Sequence, residues 1–196
     1  IQSINEEYRK KYLKRNETNA NIINALTLLK KHGIVSFADY IVGLPGDTIE
    51  NYEEARLFFL ENMPDIIEPY WMSYHPKTEI IQKGFEHNIL IHETLDSINQ
   101  GRGTHSYFEN SIISQDFHSE YYFIFKVLPA LPVFLRKKFT YSTVRKIPYF
   151  IKLPFFIYSI FYLAFKHRSP RIKYLTSFYG KQMIWILKSR FSANHS

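Results

Sequence analysis

The chain has 196 residues, a net charge of +7 at pH 7 and no cysteine. Its length suits one domain, or one domain with an extension. The lack of cysteine excludes disulfides and thiolate metal sites within this sequence, and it fits a cytoplasmic protein. Residues 1–120 carry a net charge of −7, whereas residues 121–196 carry +14, have no acidic residue and hold 20 of the 34 aromatic residues. This division predicts two regions with different partners.

Helix-like and strand-like patterns alternate over residues 1–87. The sequence predicts, in chain order, a helix over 3–14 that opens with a Ser3–Glu6 capping box, a helix over 19–32 that stops at Gly33, a strand over 34–42, a helix over 48–62 capped by Asp47 or Thr48, a strand over 66–74, and a short helix from Thr78 to Phe85. This alternation predicts an α/β domain with parallel strands. Because both faces of the 34–42 strand are mostly apolar, we expect both to be buried.

Residues 1–3 would add a third strand if they are the end of an earlier one. Three strands cannot close a barrel, so the sequence predicts part of a larger α/β domain. The chain also opens without methionine, so we expect that Ile1 is not the natural start. Separately, residues 4–21 lack the apolar stretch of a signal peptide.

The second half of the chain changes character. Residues 88–118 are polar and predicted to be irregular, and residues 119–196 are predicted to be a helical, basic extension rich in aromatic residues. The Gly101–Gly103 segment has no strand before it, so it does not predict a phosphate loop. The most apolar segment, Tyr149–Phe165, has 17 residues, whereas a membrane-spanning helix needs about 20. We expect an interfacial helix or a helix buried under the α/β domain.

The basic region 121–196 has three interpretations. Lys and Arg among aromatic residues suit an anionic membrane surface, where each cation adds about 1 kcal/mol. The same composition suits RNA, whose phosphates and bases bind cations and rings. The third interpretation is a helical subdomain with a solvated basic face. We favour the membrane surface over RNA because Tyr149–Phe165 is so apolar.

The stretch DYIVGLPGDT, residues 39–48, combines a carboxylate inside an apolar strand with a stiff turn. By strand parity, Asp39 shares a face with apolar or small side chains, so it either pairs with a cation on a neighbouring strand or faces a ligand. Ligands of parallel α/β folds bind at the carboxyl ends of the strands. Gly43 permits a positive φ and Pro45 stiffens the loop, which is either one wall of a ligand site or a tight turn without a ligand.

Residues 1–87 resemble the second half of a radical S-adenosylmethionine enzyme barrel. The resemblance depends on the order and spacing of IQS before a helix, Arg15, KKHGI, DYIVGLPGDT before an acidic helix, and YWMSYHPKTEI. It is greatest to the subgroup in which a cobalamin-binding domain precedes the barrel and a variable helical region follows. The resemblance implies a partial (β/α)6 barrel whose strands four, five and six end near Ser3, Val42 and Tyr74.

The resemblance also implies an S-adenosylmethionine site. Gln2 and Ser3 match the position after strand four that contacts the ribose or methionyl part of the cofactor. Arg15 matches an arginine that meets the methionine carboxylate. A solvated surface arginine beside three lysines is the plain alternative for Arg15.

Five further residues take roles from the same resemblance. Asp39 would be a polar cofactor contact on strand five, and the turn from Gly43 to Pro45 would border the adenine. Backbone near Trp71 and Met72 would hold the edge of the adenine ring. Trp71 fits a plain core residue equally well.

The chain departs from the family in one respect, because the Cys-x3-Cys-x2-Cys motif for a 4Fe-4S cluster is absent. The cluster ligands would then lie upstream, and the chain alone would make no radicals. We expect the carboxyl-terminal part of an enzyme that performs radical chemistry or cobalamin-dependent methyl transfer on an unknown small molecule or peptide, with an electron donor. The alternative is a non-catalytic remnant that binds a membrane surface or RNA. No histidine spacing predicts a metal site.

Overall fold

The computed structural model describes residues 1–100 and 116–168. The helices and strands follow in the order α1 Glu6–Tyr12, α2 Asn19–Lys31, β1 Phe37–Val42, α3 Ile49–Glu61, β2 Ile66–Trp71, α4 Ile80–Glu86, α5 His92–Asn99, α6 Asp116–Val127, a 3₁₀ turn Leu128–Ala130, α7 Val133–Arg136, α8 Tyr141–Val144 and α9 Tyr149–Lys166. The predicted mixture of helices and parallel strands is confirmed. Within these two ranges the sheet has two strands and forms no partial barrel.

The sheet consists of β1 and β2, which pair in parallel over six residue pairs. Pairing continues past the strand ends, because the Met72 N–H donates to the Val42 carbonyl at 2.8 Å. On the other side of β1, the Ile41 N–H donates to the Gln2 carbonyl at 3.1 Å. Residues 1–3 therefore lie beside β1 at the place predicted for an earlier strand, but they are not themselves a strand.

One face of the sheet carries the main core. Alternate residues of β1, namely Ala38, Tyr40 and Val42, are buried in one cluster with residues of α3 and α6. The α6 helix comes from the segment predicted to be an extension, yet Tyr121, Ile124 and Phe125 are as deeply buried as the strand residues. The helices after residue 116 therefore complete the core of the α/β part.

The opposite face of the sheet is open. Phe37 is 47% exposed, Tyr70 is 48% exposed, and Asp39 is also exposed. The prediction that both faces of this strand are buried is therefore wrong for the residues that the structure describes. Apolar residues on both faces are typical of a parallel sheet covered on both sides, and here only one covering layer lies within 1–100 and 116–168.

Capping chemistry determines where α3 begins, whereas α4 begins without a side-chain cap. The Thr48 hydroxyl accepts from the Asn51 N–H, and the Asn51 side chain accepts from the Thr48 N–H. Thr48 rather than Asp47 is therefore the cap. The short helix predicted to open at Thr78 begins two residues later, at Ile80, and the Thr78 hydroxyl donates instead to the His75 carbonyl at 2.7 Å.

The helix α1 begins later than predicted. Asn5 caps it by accepting from the Tyr8 N–H at 2.9 Å, and the predicted Ser3–Glu6 capping box does not form. Asparagine caps a helix at least as well as serine, and Ser3 is buried beside the sheet. The Glu6 carboxylate instead accepts from the Asn19 N–H, which joins α1 to the start of α2.

The remaining predictions concern the second half of the chain. The α5 helix occupies 92–99, so the prediction of an irregular segment is wrong there. The Gly101–Gly103 segment and residues 169–196 lie outside the described residues. Short and long helices follow one another from Asp116 to Lys166, as predicted. Across 1–100 and 116–168, no helix combines the length and the apolarity that a membrane crossing requires.

Candidate functional site

A cavity of about 670 Å³ opens at the carboxyl ends of β1 and β2, on the open side of the sheet. This is the end at which parallel α/β folds bind ligands, and the volume is typical of a cofactor site. Five of the eight site residues predicted from the sequence line this cavity, namely Gln2, Arg15, Asp39, Trp71 and Met72. Their convergence makes this cavity the candidate site.

The end of α1 forms a charged wall of the cavity. Lys14 has a positive φ of 53°, and the next N–H, that of Arg15, donates to the Arg9 carbonyl at 2.9 Å. Lys14 also forms a salt bridge of 3.0 Å with Glu79, which precedes α4. Both of these side chains are exposed, so the pair contributes at most about 1 kcal/mol. Arg15 forms no salt bridge within the described ranges, so its guanidinium can bind an anionic ligand group.

Asp39 presents a solvated carboxylate to the cavity. It lies opposite Glu68 in the sheet, and Glu68 is ion-paired with Lys126 of α6. The salt bridges between described residues do not include Asp39. The predicted alternative of a cation on a neighbouring strand is therefore not realised. An ionised carboxylate in this position can accept hydrogen bonds from hydroxyl or ammonium groups.

Trp71 separates the candidate site from a second cavity of about 330 Å³. Its ring stacks on Tyr122 of α6, with centroids 5.0 Å apart and planes within 4° of parallel. The second cavity also contains an ion pair, in which Lys152 Nζ lies 2.5 Å from Glu120 Oε1. Trp71 is thus a packed aromatic residue that also lines the candidate site. Its position agrees in part with each predicted role, the core residue and the cofactor contact.

The Gly-Leu-Pro-Gly turn faces away from the candidate site. Gly43 and Gly46 each have a φ of +86°, which favours glycine at both positions. The Pro45 carbonyl accepts from the Tyr8 hydroxyl at 3.1 Å, and Pro45 and Ser3 line a separate cavity of about 220 Å³. Ser3, Gly43 and Pro45 are therefore not brought together with the other five predicted site residues.

A buried hydrogen-bond network supports the turn. The Tyr52 hydroxyl oxygen lies 2.7 Å from Gly43 N, 2.9 Å from Asp47 Oδ2 and 2.7 Å from His118 Nδ1. The Leu44 N–H also donates to Asp47 Oδ2, at 3.0 Å. When Asp47 is ionised, the single phenol proton goes to Asp47, so His118 Nδ1 carries a proton and donates to Tyr52. The network thereby joins the turn, α3 and α6.

Burial sets the protonation states of this network. Burial raises the pKa of Asp47 to about 7. The hydrogen bonds from Tyr52, Leu44 and Gly43 favour the ionised form and act in the opposite direction, but they are outweighed by burial. Burial lowers the pKa of His118 to about 4 and raises the pKa of Tyr52 well above its usual value. The imidazole is therefore neutral at pH 7, and the carboxyl group titrates near neutrality.

Sequence reasoning missed this network and several cavity residues. Asp47 and Tyr52 are close in sequence, and a carboxylate directly after a buried turn was a usable signal. His118 lies 66 residues beyond Tyr52, and no local pattern connects the two. Ser73 and His75 also line the candidate site, and their position at the carboxyl end of a predicted strand could have indicated this.

No group of three or more His, Asp or Glu residues within 1–100 and 116–168 could hold a metal ion. In comparisons with known proteins, no family model matches the chain and no curated protein is significantly similar to it. The case for a function therefore depends on the residues of the chain and on the cavity that they form.

Proposed function

We propose that the candidate site binds S-adenosylmethionine, and that this chain supplies the carboxyl-terminal strands of a radical S-adenosylmethionine enzyme. One observation carries the proposal. Gln2, Arg15, Asp39, Trp71 and Met72, to which the family resemblance gives cofactor contacts, line one cavity at the carboxyl ends of parallel strands. Apart from the adjacent Trp71 and Met72, these residues are far apart in the sequence, so their convergence on one cavity supports the proposal.

The chemistry of the wall suits the parts of this cofactor. The Arg15 guanidinium offers paired donors to the methionine carboxylate. Asp39 and Gln2 offer polar contacts to the ribose hydroxyls and the ammonium group. Backbone near Trp71 and Met72 lines the same cavity and would hold the edge of the adenine ring. When bound, the cofactor supplies a methyl group or, after one-electron reduction, a carbon radical, and the residues named here bind and orient it.

The chain does not fit the 4Fe-4S cluster of the same family. Cluster iron requires thiolate ligands, and the sequence has no cysteine. The proposal therefore assigns no electron transfer to these residues. The cluster ligands, the electron donor and any cobalamin domain would belong to polypeptide outside this sequence.

The open face of the sheet supports a barrel context. Phe37, Asp39 and Tyr70 lie on this face, and the candidate site opens at its end. In a partial (β/α)6 barrel this face would line the interior, opposite the strands of the first half. The mixed polar and apolar character of the face agrees with a barrel that encloses a cofactor and a substrate.

Isothermal titration calorimetry with S-adenosylmethionine tests the proposal without requiring the cluster. We expect Arg15→Ala to weaken binding at least tenfold, because a charge-assisted hydrogen bond is lost, and Asp39→Asn to weaken it less. Arg145→Ala is the matched control, since Arg145 is also exposed and lies outside the cavity. Undetectable binding by the unaltered chain, or an equal loss in the control, would contradict the proposal.

A second candidate function is carried by a different part of the chain. Exposed aromatic residues and a basic border after residue 132 favour a peripheral protein at the cytoplasmic surface of a membrane. This function requires no catalysis by the chain, and it is compatible with the cofactor site.

A further inference from the structure

The helices α7 and α9 expose a large apolar surface. Val133 and Phe134 of α7 are each 74% exposed, and Phe165 at the end of α9 is 77% exposed. The exposed large apolar residues of α9 are mostly aromatic, and all but Leu153 recur along one side of the helix: Phe150, Ile151, Phe155, Tyr158, Tyr162 and Phe165. We call these residues, with Val133, Phe134 and Leu135, the α7–α9 face.

The two helices form one continuous surface. A groove of about 450 Å³ lies between them, with Val133 and Leu135 on one wall and Phe155, Tyr158 and Tyr162 on the other. The apolar side chains of α7 and α9 therefore meet at this groove. Contiguous exposed apolar patches of this kind mark interaction surfaces, whereas single exposed apolar residues do not.

The opposite side of α9 fixes the helix to the protein. Ser159, Ile160, Leu163 and Ala164 are buried, and Lys152 is ion-paired with Glu120 of α6. A surface helix held in this way normally exposes charged residues. On α9 the outward side is aromatic, and Lys166 is the only charged residue of the helix besides Lys152.

The charged residues of the segment that carries the α7–α9 face have a single sign, although Asp65, from the α/β part, lies 3.9 Å from His167 beside the end of α9. Residues 121–168 contain nine Lys and Arg residues and no Asp or Glu. Two of the nine, Lys126 and Lys152, are held in ion pairs with Glu68 and Glu120. Six exposed cations remain near α7, α8 and the end of α9, and none forms a salt bridge with a described residue: Lys137, Lys138, Arg145, Lys146, Lys166 and Arg168.

We propose that the α7–α9 face docks on the surface of an anionic lipid bilayer, with α9 parallel to the membrane plane. Aromatic side chains enter the boundary between headgroups and acyl chains, and a basic border binds the acidic headgroups. Long Lys and Arg side chains can reach those headgroups while their stems stay in apolar contact. RNA sites also combine cations with aromatic rings, and Lys166 Nζ lies 5.9 Å from the centre of the Tyr162 ring. We choose lipid because the face also exposes the aliphatic side chains of Val133, Leu135 and Ile151, on which bases do not stack. The inference does not depend on the cofactor proposal.

Vesicle co-sedimentation tests this inference. We expect the chain to bind phosphatidylcholine vesicles that contain phosphatidylglycerol and to bind pure phosphatidylcholine much less, with binding weakened by salt. The double variant Phe134→Ser/Phe165→Ser should reduce binding at least tenfold, and Lys137→Glu/Lys138→Glu should remove the preference for anionic vesicles. All four side chains are exposed, so the folded state should tolerate these changes.

Matched controls lie on helices distant in sequence from the face. Leu28 of α2 and Leu57 of α3 are 57% and 48% exposed, so Leu28→Ser/Leu57→Ser removes similar apolar surface. Lys30→Glu/Lys31→Glu makes the same change of charge on α2. We expect both control variants to bind anionic vesicles like the unaltered chain. Equal losses in the test and control variants would overturn the inference.

Because the chain has no cysteine, a single introduced thiol can report membrane contact. An environment-sensitive dye on Phe165→Cys should shift to the blue when phosphatidylglycerol vesicles are added, and the same dye on Leu28→Cys should not. No shift at position 165, dimerisation through this face without lipid, or displacement of the vesicles by poly(U) RNA would each overturn the inference.

Discussion

At the scale of single residues, Asp47 and His118 give opposite pH dependences around one Tyr52 hydroxyl. Burial raises the pKa of Asp47 from 3.8 to about 7, so its contribution to stability is complete at low pH and is lost as the pH rises toward 7. Burial lowers the pKa of His118 from 6.5 to about 4, so its contribution is complete above pH 6.5 and is lost as the pH falls toward 4. Between these pH values the two contributions oppose each other.

Single substitutions should separate the two contributions. Asp47→Asn removes the Asp47 contribution, which falls as the pH rises. We therefore expect the free energy of unfolding of this variant, minus that of the unaltered chain, to rise from pH 4 to pH 6.5. His118→Gln removes the His118 contribution, which rises with pH, so the same difference should fall over this range. Urea denaturation across this pH range measures both slopes. Parallel slopes in the two variants would show that the network does not set these protonation states.

At the scale of elements, Arg9 joins the segment beside β1 to two helices. It is fully buried, and its guanidinium donates to the carbonyls of Ser3 and Glu17 and to the side chain of Asn19. These bonds hold residues 1–3 beside β1, where the Gln2 carbonyl accepts from the Ile41 N–H. The position of Gln2 in the candidate site therefore depends on a residue of α1.

Replacing Arg9 should loosen that segment. We expect Arg9→Met to lower the free energy of unfolding by about 2–3 kcal/mol, because buried carbonyl groups lose their donor. The Ile41 N–H should also exchange with solvent faster, and mass-spectrometric hydrogen exchange can measure this. The control is Arg15→Met, which alters an exposed arginine and should leave both quantities unchanged.

Capping residues and apolar periodicity were sufficient to predict α2, β1, α3 and β2 within a few residues. They failed where the signal is not local. The α5 helix is an exception, because Ile91, Leu95 and Ile98 repeat at helical spacing and could have indicated it. The open side of β1 could not be predicted, because apolar residues do not say which layer covers them. Strand parity and the family resemblance predicted Asp39, and the family resemblance alone predicted Arg15, whereas contact of His118 with Tyr52 depends on how α6 packs.

At the scale of the whole molecule, the charge division of the sequence does not correspond to a division of the core. The acidic α/β part and the basic helices share one cluster in which Phe125 of α6 lies against Tyr40 of β1 and Phe59 of α3. The charge pattern indicates which partners the surface of each region can bind, but it does not indicate which apolar faces pack together in the core. Residues 119–168, the part of the extension that the structure describes, therefore belong to the folding unit.

A core substitution in α6 should test this unity. We expect Phe125→Ala to lower the free energy of unfolding by about 3–5 kcal/mol, as for other buried aromatic residues, and to destabilise β1 and α3 together with α6. Hydrogen exchange should show the three elements losing protection in one transition. Phe134→Ala removes an exposed ring and should have little effect. Separate transitions for β1 and α6 would contradict a shared core.

The stacked Trp71 gives the molecule an optical property that follows from its position. Its indole lies against Tyr122 and lines two cavities. The sequence has one other tryptophan, Trp185, so Trp185→Phe would leave a single indole emitter. The intrinsic fluorescence of that variant would then change when a molecule enters either cavity, which provides a ligand screen without an added label.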